Sequence, residues 1–94
     1  MEVNEAKRIV EEANPNLKAA YAVPFKDMIV FKMVGKKNGQ TVFNNLGYAV
    51  DVKTKKAITY GPFDIDFTGY EEALRNDAVY FSEQGMKMAT MRTL

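Results

Sequence analysis

The chain contains no cysteine and no histidine. Without cysteine there is no disulfide framework, no thiolate metal site and no thiol nucleophile. Without histidine the commonest general base and the commonest transition-metal ligand are both missing. Serine occurs once, as Ser82, with no imidazole to activate it and no glycine elbow around it. It reads as a polar residue near the end of a helix. Neither G-x-G-x-x-G nor G-x-x-x-x-G-K-[ST] occurs, so a phosphate-cradling loop of either kind is excluded. No apolar run approaches the roughly 20 residues needed to span a bilayer. The opening MEVNEAKRIVEEA is acidic and amphipathic, which is not the pattern of a signal peptide. A location in the cytoplasm or in a virion is expected, with no membrane contact. Net charge is also scarce. Thirteen Lys and Arg against twelve Asp and Glu leave +1, which excludes a histone-like polycation and an acidic tail protein.

What is present fits one small globular domain. The chain has 94 residues, 47% of them hydrophobic and 27% charged, enough for one core and too little polarity for disorder. Val3, Ala6, Ile9, Val10 and Ala13 recur at spacings of three and four, which predicts an amphipathic helix over 2–13. Asn14-Pro15 ends it, because the residue before a proline avoids the α region. Residues 17–23 and 28–34 read as strands separated by Pro24-Phe25-Lys26-Asp27. Asn38-Gly39 is a hairpin signal, followed by alternation over 42–52, a turn at 53–56 and a strand over 57–60. Gly61-Pro62 bends or ends that strand. Phe63, Ile65 and Phe67 alternate with Asp64 and Asp66, so a strand can resume there. Thr68-Gly69-Tyr70-Glu71 has the form of a capping box. The stripe Tyr70, Ala73, Leu74, Ala78 and Phe81 predicts a helix over 69–81, with Gly85 as its stop.

The expected architecture is therefore α+β: an N-terminal helix packed on a four-stranded antiparallel meander, followed by a C-terminal helix. Residues 1–84 form the domain, and 85–94 form a tail that is flexible or docks on a partner.

The stretch Tyr48-Ala49-Val50-Asp51-Val52-Lys53-Thr54-Lys55-Lys56-Ala57-Ile58 resembles the V-D-x-x-T-G-x-hydrophobic hairpin of PepSY-type domains. The helix Ala6–Ala13 running into Asn14-Pro15-Asn16 resembles the entry to the meander in those domains. The resemblance covers roughly residues 5–60. It implies a helix-plus-meander fold and a binding or inhibitory module rather than a catalyst. Lys55 stands where those domains usually carry glycine. Asp51 and Thr54 have side-chain oxygens suited to turn amides. The chain is also similar in size and pattern to small phage-encoded proteins of head and tail gene clusters.

Chemistry-bearing clusters are few. Asp64 and Asp66 share a strand face and could join Glu71 or Glu72 around a hard cation, but no D-x-D-x-D-G loop surrounds them. They read as a solvated outer face, so no metal, cofactor or catalytic residue is expected. Charge is segregated: residues 18–60 carry eight Lys and two Asp, while both flanks are net acidic. A nucleic-acid interface would draw on Lys32, Lys36, Lys37, Tyr48, Lys53, Lys55 and Lys56 through stacking and phosphate contacts. The turns at Lys36-Lys37 and at Lys53-Lys55-Lys56 fall at opposite ends of a strand, which opposes one compact patch.

Six Phe, five Tyr and six Met exceed what one helix over a small sheet needs. Met28, Val30 and Val34 share one face of the second strand with Lys32, and Ile29, Phe31 and Met33 take the other. Both faces are apolar, so both must be covered. The cover is either the second helix or another chain. The reading that follows is a non-enzymatic protein-interaction or assembly module. Its expected face is Met28, Val30 and Val34, with Met86, Met88 and Met91 of the tail, against a copy of itself or a larger assembly. The alternative is the small nucleic-acid-binding module.

Overall fold

The computed structural model describes residues 1–37, 39, 47–60 and 67–92, with residues 67, 68, 91 and 92 given by backbone alone. The elements are α1 (Val3–Ala13), β1 (Leu17–Phe25), β2 (Met28–Gly35), β3 (Gly47–Asp51), β4 (Lys56–Tyr60), α2 (Phe67–Asp77), β5 (Val79–Tyr80) and α3 (Glu83–Arg92). The strands form one antiparallel sheet in the order β4-β3-β2-β1-β5. The α+β class and the order helix, meander, helix are as the periodicity predicts. The short strand β5 and the separate helix α3 are additions.

α1 buries Ala6 and Val10 against Ala19, Ala22, Ile29, Phe31, Met33 and Val50. Asn14 caps its end, donating from Nδ2 to the Val10 carbonyl at 2.9 Å. The other sheet face carries Val23, Val30, Val34 and Ala49 against Tyr70 and Leu74 of α2 and Ala89 of α3. Phe25 meets Tyr70 edge-on, with ring centroids 5.9 Å apart. The two-sided apolar strand β2 is therefore closed on both faces within one chain.

A β-bulge in β1 ties the layers together. The β1–β2 register shifts between Ala19 and Tyr21, leaving Ala20 as the extra residue. The bulge removes backbone groups from the ladder, and buried groups need other partners. The Ala19 N–H donates to Glu11 Oε2 of α1 at 2.9 Å. The Ala20 carbonyl accepts from the Phe81 N–H at 3.1 Å. One irregularity thus anchors the first helix and the chain entering α3.

The C-terminal segment differs from the expected helix and tail. α2 ends at Asp77, and the chain turns back to pair Val79 with Ala22 and Tyr80 with Tyr21. Phe81 leaves the predicted helical stripe and stacks on Phe31 on the α1 side, at 6.4 Å between centroids. Ser82 caps α3, accepting from the Gly85 N–H at 3.0 Å. Gly85 is not a stop: it is buried in the first turn of α3. The boundary expected between 84 and 85 therefore falls inside a packed helix. α2 begins at Phe67, ahead of Thr68, so Thr68 does not occupy the cap position. The strand expected around Phe63 and Ile65, and the first half of the one over 42–52, lie outside the described residues.

Candidate functional site

The expected interaction face is mostly interior. Val30 is 1% exposed and Val34 0%, because α2 and α3 cover the sheet face they share. Met28 and Met88 are half-buried against that same cluster. Met91 lies in the last turn of α3. Of the six, Met86 stands out of the core, at 45% exposure.

The basic side chains divide between two poles. Met28 pairs with Asp51 across β2–β3, so the turns after β1 and after β3 lie side by side. That pole holds Lys26, Lys53, Lys55 and Lys56, with Lys53 Nζ 3.6 Å from Asp27 Oδ2 and Lys55 Nζ 3.6 Å from Glu5 Oε1. Lys36 and Lys37 follow the opposite end of β2, on the order of 25 Å away at ~3.3 Å per residue. Tyr48 pairs with Phe31 and shares its face. Lys32, the next residue along β2, takes the other face. The sheet itself thus separates Lys32 from Tyr48. A shallow groove between α1 and the end of β2 is lined by Arg8, Glu11, Glu12, Pro15 and Lys36, and its charges are of both signs. Glu71 and Glu72 are exposed on α2, while Asp64 and Asp66 lie outside the described residues.

The turn at this pole has specific geometry. Asp51 Oδ1 accepts from the Lys53 N–H at 2.8 Å and the Thr54 N–H at 3.1 Å. Lys55 closes the turn with φ +59°, a region that favours glycine. Lys26 in the β1–β2 turn also has positive φ, +55°, and its Nζ lies 5.2 Å from the centroid of the Phe25 ring.

The sheet has two end strands among the described residues, β5 and β4. β5 is two residues long, and its Val79 and Tyr80 point to opposite faces. β4 has five residues and, among the described strands, ends the sheet on the other side. Val23, Val30, Ala49 and Ile58 are successive cross-strand partners over β1, β2, β3 and β4. This apolar row is buried at Val23, Val30 and Ala49, and it emerges at Ile58, which is 37% exposed. Tyr60 fixes the end of the edge by laying its ring over its partner Gly47, where a Cβ would come within 2.0 Å of the ring. The expected meander already sets its last strand at an edge, and β4 keeps that place because β5 adds beyond β1 on the opposite side.

Comparison with known proteins returned no match to a family model, to a curated protein or to a solved structure.

Proposed function

We infer that this chain is a non-enzymatic protein-binding module that takes an extended segment onto the outer edge of β4. The observation that carries this reading is the apolar row Val23–Val30–Ala49–Ile58, which ends in an exposed side chain on an edge strand. An edge strand offers unpaired N–H and C=O groups, and an added strand gains main-chain hydrogen bonds there. Alternate side chains of that strand would continue the row and supply specificity. An assembly role, in a virion or elsewhere, is compatible with such an edge. The nucleic-acid reading has less support, because its basic residues are split between two poles and two faces.

The test is selection of extended peptides from a random display library against the immobilised chain. Bound peptides are expected to slow amide exchange at Lys56–Tyr60 and to lose binding to Ile58→Asp. Peptides that protect other segments, or a selection that yields no binder, would contradict the reading.

A further inference from the structure

We propose that the segment taken up by the β4 edge is the β4 of a second copy, paired antiparallel about a two-fold axis at Ile58. This rests on the reading of β4 as a strand-accepting edge. The five residues of β4 are centred on Ile58. A two-fold there sets Ile58 opposite Ile58 of the other copy, Lys56 opposite Tyr60, and Ala57 opposite Thr59.

Three features of the strand favour this pairing. First, directly opposed residues of an antiparallel pair share a face. The row Val23–Val30–Ala49–Ile58 then continues into the same row of the second copy. A one-residue slip would set Ile58 against Ala57 and turn one sheet over, breaking the row. Second, charge selects the direction. A parallel in-register pair would stack Lys56 on Lys56, which opposes like charges. The antiparallel pair places the two Lys56 residues about 14 Å apart along the strands. Third, it brings each Lys56 to a Tyr60 ring already held in place over Gly47, an arrangement suited to a cation–π contact. The interface is isologous and closes on itself, so it gives a dimer and not a fibre. A five-residue strand pair buries less than the ~1,200 Å² of a standard interface, so the dimer is weak and concentration-dependent.

The absence of cysteine makes the register directly readable. Ile58→Cys is expected to form a disulfide-linked dimer under mild oxidation, because opposed strand residues have Cα atoms ~4.5–5.5 Å apart, within disulfide reach. Lys56→Cys should not cross-link to itself. The unmodified chain, measured by light scattering from micromolar to millimolar concentration, should rise from 10.6 kDa towards twice that mass. Ile58→Lys should remain a monomer with an unchanged circular dichroism spectrum. A monomer at every concentration, with no cross-link in Ile58→Cys, would overturn the proposal. So would a dimer that persists in Ile58→Lys or fails to cross-link at position 58. A monomer that still takes selected peptides onto β4 would remove the second copy as occupant and leave the edge reading standing. Failure of both experiments would remove both.

Discussion

Gly85 of α3 lies against the backbone of Ala20 in the β1 bulge, so closely that a Cβ on Gly85 would stand 1.8 Å from the Ala20 carbonyl oxygen. That carbonyl also accepts the Phe81 N–H. The seating of α3 on the sheet therefore depends on one missing methyl group and one irregular strand residue.

Gly85→Ala tests this contact by the sign of its effect. In an open helix the change would stabilise by about 0.5–1 kcal/mol. Here a backbone oxygen occupies the space, so we expect destabilisation by about 1–3 kcal/mol, as in other overpacked sites. Urea denaturation measures it. A stability gain would mean that α3 is not seated as described.

Lys55 occupies a left-handed conformation at φ +59°. A non-glycine residue there costs about 1–2 kcal/mol. Glycine removes that cost, but its own unfolded-state entropy and loss of the exposed Lys55–Glu5 pair offset part of the gain. Lys55→Gly should stabilise by about 0.5–1 kcal/mol, and Lys55→Val should destabilise. Thermal denaturation of both variants reads the difference. Equal stability of the two would contradict the turn geometry.

Glu11 holds the bulge from the other side. Its Oε2 accepts the Ala19 N–H, and its Oε1 lies 2.9 Å from Lys7 Nζ. Glu11→Ala leaves a buried amide without its partner, at a cost of about 1–3 kcal/mol. Glu11→Gln keeps an acceptor oxygen and loses mainly an i,i+4 ion pair of about 0.3–0.5 kcal/mol. The larger loss should therefore follow Glu11→Ala in chemical denaturation. Equal losses would place the effect in the ion pair and not in the amide.

Val30→Asp should abolish folding, since it puts a carboxylate into a core where Val30 is 1% exposed. Circular dichroism should show loss of the folded state. A folded monomer carrying this substitution would contradict the closure of the sheet by α2 and α3.

The parts of the fold legible in the sequence are those with local periodicity. The spacing of Val3, Ala6, Ile9 and Val10 marks α1, and the alternation along β2 marks a strand apolar on both sides. The cover of its second face was not legible, because Tyr70, Leu74 and Ala89 reach it only through tertiary packing. β5 has two residues and no period to detect. Gly85 looks like a helix stop because the cause of that glycine is Ala20, near the other end of the chain. Ser82 has the right chemistry for a helix end, but the helix it caps is the following one. The meander order places Ile58 on an edge strand, but its alignment with Ala49, Val30 and Val23 appears only in the cross-strand register.

The most direct test of β4 as the edge that pairs with a second copy is residue-resolved amide hydrogen exchange at low and at high protein concentration. The account predicts that outward-facing amides within Lys56–Tyr60 slow as concentration rises, while the exposed amides at the opposite edge, Val79–Tyr80, keep their rates. Concentration-independent exchange at β4, with protection appearing instead at Val79–Tyr80 or along α3, would contradict it.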